Sequence, residues 1–358
     1  MPAPRPARRG AGWMVAAIVL LVLLMMSVLL NFSQVFRSSM GRRVSSYRSG
    51  GAAIGPRLEE ITLKEGTLSD KKIVIIPIEG IITGQVMEQG GYSMVTVIKE
   101  ELKRAEKDRD VKAVILKVDS PGGEVLASDD IAKAIRDFQS KSGKPVIVSM
   151  GSLAASGGYY VSAPCRWIVA NELTITGSIG VIMHGLNYRG LLDKIGVRPE
   201  VFKSGKYKDM LSGTKEPEEI SPEEKQMVQD LIDETFHKFK NVVRDGRTAA
   251  YSANNQDGRR LAADWEDYAD GRILSGTEAK RLGFVDEIGD FETAVKRAEK
   301  ISGTSGTELV EYQQIFDLSN LFHLFGKSDS KAVKIDLGVD VPKLTPGCLY
   351  FLSPTYLR

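Results

Sequence analysis

Histidine and cysteine are scarce in this chain of 358 residues, at three and two respectively. The two cysteines, Cys165 and Cys348, lie far apart and fit no metal-ligand spacing. That excludes a zinc knuckle, a CxxC redox pair or a dense disulfide framework, and leaves Cys165 as a core thiol. No HExxH and no Walker sequence occurs, which argues against a metalloprotease and an ATPase. No metal and no cofactor is expected. The formal net charge is only +2, so there is no broad basic field and no nucleic-acid partner is expected. No internal repeat is evident. Histidine is the usual base for a nucleophilic hydroxyl, yet none of the three has a suitable setting. His184 follows an apolar VIM run, His237 lies on a polar helix, and His323 sits in an NLFHLFG patch.

One long apolar run is present. Trp13 to Leu30 holds eighteen residues with only Ser27 polar, the lower limit for a spanning helix. It is longer than the usual core of a signal peptide, and no small-x-small cleavage site closes it. The run reads as an uncleaved anchor over 13–31, after a basic segment over 1–12. Arg5, Arg8 and Arg9 precede it and Arg37, Arg42, Arg43 and Arg48 follow, so positive charge alone does not fix its orientation. A Ser-, Arg- and Gly-rich stretch, Gln34 to Gly55, reads as the flexible part of a stalk over 32–70.

The most informative stretch is KPVIVSMGSLAASGGYY, Lys144 to Tyr160. A short apolar run reads as a buried strand and opens into small residues that let backbone and substrate approach closely. A nucleophile is often held where such a strand turns into a helix, and Ser156 stands there. A serine hydroxyl needs a base. VFKSGKYKDM, Val201 to Met210, offers Lys203, Lys206 and Lys208, which the residues alone do not rank. A lysine serves only if its pKa falls from roughly 10.4 toward 7–8, on the order of 4 kcal/mol against the ammonium. Burial supplies shifts of that size. One strand–helix–strand unit earlier, VKAVILKV runs into Asp119-Ser120-Pro121-Gly122-Gly123. The glycines there permit angles that turn N–H groups outward, toward a developing oxyanion.

The pattern VDSPGGEV, KPVIVSMGSLAASGGYY, LTITGSIGV, FKSGKYKDM and GRILSGTEAKRLGFVDEIGD resembles the S49 family of membrane-bound serine–lysine peptidases, in its short, single-module form. The resemblance runs from about Ile73 to Ile301. It implies an α/β fold of repeated ββα units, like crotonase and Clp protease, over 71–302, preceded by a single transmembrane helix and followed by an extension over 303–358. It implies Ser156 as nucleophile, Lys208 as general base and Ser178 as the hydroxyl that holds the amine. Gly123 and the N–H of Gly157 are implied as the oxyanion hole. Remnant signal peptides and other extended apolar peptides are the implied substrates. The implied partners are the lipid bilayer and further copies of the chain, in a homo-oligomer whose neighbours share active sites. The implied placement is the inner membrane, single-pass, with the catalytic part outside the cytoplasm. A crotonase-type acyl-CoA enzyme and a silent membrane scaffold are the competing readings.

Elsewhere the pattern is α/β. KIVIIPIEG reads as a strand and Val95 to Lys107 as a helix; Ser128 reads as the N-cap region of a helix through Phe138. WIVAN and SIGVIM read as strands. Ser221-Pro222-Glu223-Glu224 starts a helix to about Arg244, with Met227, Val228, Leu231, Ile232, Thr235, Phe236 and Phe239 at core or subunit-interface spacing. Glu278 to Leu282 and Phe291 to Lys300 read as short helices. The terminal LTPGCLYFLSPTYLR is unusually apolar and aromatic. It reads as a strand or interface piece, or more sharply as a self-ligand for a substrate groove.

Overall fold

Alternating β-branched residues place KIVIIPIE in the centre of a sheet. Ile73 and Ile75 face one apolar layer, with Ala113, Ile115 and Ile147 beside them. Val74, Ile76 and Ile78 face the other. A strand buried on both faces is what a parallel, helix-covered sheet demands. The computed structural model describes residues 55–67, 70–86, 91–314 and 349–352, with Leu20 and Leu24. The segments 1–12 and 13–31 lie outside the described residues apart from those two leucines, as do His323 and Cys348. Among the described residues no helix is long and apolar enough to cross a membrane. Met1–Ile54 and Gly55–Arg358 are separate units.

Within the second unit the strands are β1 (Leu58–Lys64), β2 (Lys72–Glu79), β3 (Val111–Ser120), β4 (Gly122–Glu124), β5 (Val146–Ala155) and β6 (Trp167–Ala170). They continue with β7 (Ile175–Gly177), β8 (Ile182–Met183), β9 (Ile273–Ser275), β10 (Glu287–Ile288), β11 (Glu308–Gln314) and β12 (Leu349–Leu352). The main sheet has the order β1-β11-β2-β3-β5-β6-β10, with β7 joined to β5 and β9 joined to β7. Its centre, β11-β2-β3-β5-β6-β10, is parallel. Helices α1 (Met94–Lys107) and α2 (Val125–Ser142) contribute to one layer. Helix α7 (Phe291–Ser302) covers the opposite face with Ala294, Val295 and Ala298. A second, three-stranded sheet runs β4-β12-β8.

Several boundaries differ from expectation. The segment read as stalk over 32–70 contains β1, which pairs antiparallel with β11 from the expected extension over 303–358. The sheet therefore extends past residues 71–302 at both ends. Ser128 is not a cap: α2 begins at Val125, and the Ser128 hydroxyl donates to Glu124 O at 2.9 Å from inside the helix. The Ser221 start is as expected, a reciprocal capping box with Glu224. That helix, α5 (Pro222–Ala253), does not stop near Arg244. It continues through Gly246, where a Cβ would lie 2.5 Å from Ala163 O. The glycine is a point of close approach, not a terminator. Of the region read as one strand, SIGVIM, only Ile182–Met183 is strand, as β8; it begins just past the end of β7 at Gly177.

Candidate active site

Strand β5 forks. Ile147–Ser149 pairs with β6, and Leu153–Ala155 pairs with β7. Asp119 occupies the fork: its Oδ1 accepts from Leu153 N at 3.0 Å, and a Cβ on Gly151 would meet its carboxyl at 2.9 Å. The fork carries β5 past the end of β6 and delivers Ser156 at the strand terminus. There the chain turns into helix α3 (Gly157–Ser162). Ser156 has φ 54° and ψ −115°, a conformation that costs a non-glycine residue on the order of 1–3 kcal/mol. It is held by its N–H to Gly177 O at 2.8 Å and by Tyr160 N to its carbonyl at 2.8 Å. The residue is 1 % exposed.

Ser178 lies beside it. Ala155 pairs with Gly177, so the two serines occupy successive register positions of β5 and β7. Ser178 also has positive φ, 49°, and its N–H donates to Arg272 O at 2.7 Å. Gly123 and Gly157 meet as well. A Cβ on Gly157 would stand 3.0 Å from Gly123 N, 3.0 Å from Gly122 Cα and 2.7 Å from Ser128 Oγ. Gly122 has φ 104°, which only glycine adopts easily. Ile82 N donates to Gly122 O at 2.9 Å and Glu124 N donates to Ile82 O at 2.8 Å. Those bonds use the neighbours' groups on that edge, so the Gly123 N–H faces the opposite way, across the site. Ser120 fixes the turn, accepting from Gly122 N at 3.1 Å and donating to Gly80 O at 2.6 Å.

The lysines now separate. Lys203 is tied to both oxygens of Asp209, at 2.9 and 2.8 Å. Lys206 lies 4.8 Å from the Tyr207 ring centre, and that tyrosine raises its pKa, keeping it an ammonium. Lys208 is exposed, and its amine has no hydrogen bond or ion pair among the described residues. No hydrogen bond joins Lys208 to Ser156 within the chain. The structure therefore brings Ser156, Ser178, Gly123 and Gly157 together and leaves Lys208 on a surface turn. His184 and His237 are both exposed. Cys165 is buried, and burial pushes its thiol up, out of reach of thiolate chemistry. Among the described residues no cluster of side chains could hold a metal.

Sequence reasoning gave Asp119 and Tyr160 no role, and read Ser128 only as a cap region and Phe239 only as a core or interface position. Asp119 had a local signal in VDSPGGEV, and Ser128 lies three residues beyond that motif. The two aromatic residues had none.

A buried, strained serine at a strand-to-helix turn, with the Gly122-Gly123 turn packed closely against Gly157, is a setting suited to serine acyl chemistry. Residues 138–305 match peptidase family S49. The chain is 38% identical to a signal peptide peptidase SppA of Enterococcus faecium over 72% of its length and 71% of that protein. It is 35% identical to the protease slr0021 of Synechocystis over 80% of its length and 94% of that protein. Against Protease 4 of Haemophilus influenzae the identity is 35%, over 64% of this chain but only 35% of that longer protein. The protein is a serine peptidase. It belongs to family S49, among the SppA-like members.

Proposed function

We propose that this chain hydrolyses peptide bonds with a Ser156–Lys208 dyad. Neutral Lys208 takes the Ser156 proton, and Ser156 Oγ attacks the substrate carbonyl. The N–H groups of Gly123 and Gly157 hold the oxyanion. The protonated amine then passes its proton to the leaving nitrogen, and a water releases the acyl group. Ser178, beside Ser156, holds the amine in position. The observation that carries the reading is the strained, buried Ser156 beside the close approach of Gly157 to the Gly122-Gly123 turn.

The dyad is completed by a second copy. Lys208 is exposed here, and a lysine that is to act as a base needs a dry surrounding. The turn that bears it is flanked by exposed apolar side chains, Leu191, Ile195, Val201, Leu211 and Phe202, the last 94% exposed. A neighbouring chain seated on that surface would cover apolar area and carry the lysine into its own dry site. The fold is of the crotonase and Clp-protease kind, built from strands that deliver Ser156 and Gly123 to one place. Trp13 to Leu30 anchors the chain in the inner membrane, single-pass, with the catalytic unit outside the cytoplasm. The substrates are cleaved signal peptides and other extended apolar segments at the bilayer, as the names of the relatives imply for those proteins.

The test is complementation between chains. A fluorophosphonate probe should label the wild type and not Ser156→Ala. Neither Ser156→Ala nor Lys208→Ala should cut peptide alone, and verified mixed oligomers of the two should regain activity. No recovery in such mixtures would place both groups in one chain. A Lys208→Met variant at normal rate would end the dyad altogether.

A further inference from the structure

The turn that bears Lys208 is tied to the rest of the chain by charge. The next residue, Asp209, is mostly buried and is gripped from two sides. Lys203 donates to its two oxygens at 2.9 and 2.8 Å. Lys215 approaches Oδ1 at 3.6 Å. The Lys215 side chain is only 10% exposed, and it donates to both oxygens of Glu224, at 2.7 and 2.9 Å. Glu224, 5% exposed, closes the row in the first turn of α5, where its Oε2 accepts from Ser221 N at 3.1 Å. Positive and negative groups alternate along the row, so its charge sums to zero.

Apolar residues could fill the same space without the cost of burying an ammonium and a carboxylate. What the ionic row adds is a fixed distance and direction. The turn has need of both. From Gly205 to Ser212 its backbone bonds are local among the described residues: Lys208 N to Gly205 O, Met210 N to Tyr207 O and Ser212 N to Asp209 O. A free carboxylate beside a lysine would also pair with it and hold its proton. Two ammonium groups occupy Asp209 instead. At the far end of the row, α5 is fixed to the chain's own nucleophile. Phe239 packs on Tyr160 of α3 with ring centres 4.9 Å apart, and Tyr160 N donates to Ser156 O at 2.8 Å. From Glu224 to Phe239 the helix rises about 22 Å. The clamp therefore holds Lys208 beside the end of α5 remote from that contact.

We infer that Asp209, Lys215 and Glu224 are positioning residues for the reaction: they clamp the Lys208 turn to α5, so that the amine is presented in a set place and enters a neighbouring copy's site in register. The inference rests on the reading of Lys208 as the base that completes a second copy's dyad. An ion pair that served only the fold would impair its own chain's Ser156 as much as its Lys208.

The full-length chain tests it through Lys215→Met, which fills the space without the charge, and Glu224→Gln, which keeps the capping box. Each should lower kcat by about tenfold or more and change KM by less than about threefold, because a misplaced reacting group slows the chemical step and leaves peptide binding alone. A wild-type kcat in both, or a loss that lies in KM, overturns the clamp. A second measurement asks which chain carries the defect. Verified mixed oligomers of Lys215→Met with Ser156→Ala join an intact Ser156 to a clamped Lys208, and should recover as much activity as Lys208→Ala mixed with Ser156→Ala. Oligomers of Lys215→Met with Lys208→Ala hold only unclamped lysines, and should do no better than Lys215→Met alone. Equal activity in these two Lys215→Met mixtures would make Lys215 a support of the whole fold and overturn the positioning role. If Lys208→Ala and Ser156→Ala fail to complement each other, the shared dyad falls instead, and kcat and KM alone decide for or against the clamp.

Discussion

Gly157→Ala should nearly silence the enzyme while leaving it folded. Residue 157 opens helix α3, and its φ is not among the positive ones, so alanine suits the local backbone and helix propensity even favours it. The obstacle is space. The new methyl carbon would sit 2.7 Å from Ser128 Oγ and 3.0 Å from both Gly122 Cα and Gly123 N. Ser128 can give way, because its hydroxyl is held only by Glu124 O at 2.9 Å. The two backbone contacts cannot, because Gly123 is pinned on its far side, where a Cβ of its own would meet Ile82 O at 1.9 Å. The methyl therefore wedges the Gly157 and Gly123 N–H groups apart, and at least one donor leaves the oxyanion. Loss of one such donor costs about 3–4 kcal/mol, or 10²–10³ in kcat. Single-turnover rates with a fluorogenic peptide measure that loss, and a urea melt checks the fold. Adding Ser128→Ala removes the nearest clash but neither backbone clash, so it should recover stability without recovering rate. A wild-type kcat in folded Gly157→Ala, or full rescue in the double variant, would refute the reasoning.

Three other outcomes are expected. Ser156→Gly should be more stable than Ser156→Ala by about 1 kcal/mol, because glycine relaxes at φ 54° and alanine does not; paired urea melts measure it. Asp286→Asn should cost about 3–5 kcal/mol, since Asp286 and Arg247 are paired with their side chains 2% and 0% exposed, and the change strands the guanidinium; a thermal melt near the wild-type value would contradict this. Glu101 is pushed up to about 8 by burial, with the Glu311 carboxylate adding to the effect. The folded chain thus holds that proton more tightly than the unfolded one. Its contribution is complete below about pH 4 and lost as pH rises toward 8, on the order of a few kcal/mol. Urea midpoints should fall with pH in the wild type and stay flatter in Glu101→Gln.

The two glycine turns that meet beside Ser156 were legible because their signals are local. SPGG and ASGG encode their turns in adjacent residues, and the apolar runs before them could only be strands. The Ser221 cap and its proline marked a helix start for the same reason. What escaped depends on distant partners. The helix read as ending near Arg244 runs on through Gly246, where Ala163 is pressed against the backbone from a distant part of the chain. Ser128 looked like a cap because nothing nearby announced that Glu124 would be drawn into a strand by β12. Tyr160 and Phe239 carry ordinary core spacing, and their contact with Phe351 exists only once α3, α5 and β12 are folded together. The lysines could not be ranked from sequence because their ranking depends on Asp209 and Tyr207 occupying two of them.

The small sheet β4-β12-β8 is missing its middle member whenever residues 349–352 withdraw. Two facing edges then stand one strand-width apart, each with main-chain groups unmatched. Whatever bridges them must offer hydrogen bonds on both sides at once, which a helix or a finished hairpin has already spent on itself. A peptide taking that place would have to arrive unravelled. An intact folded protein at the same surface would be turned away by geometry alone.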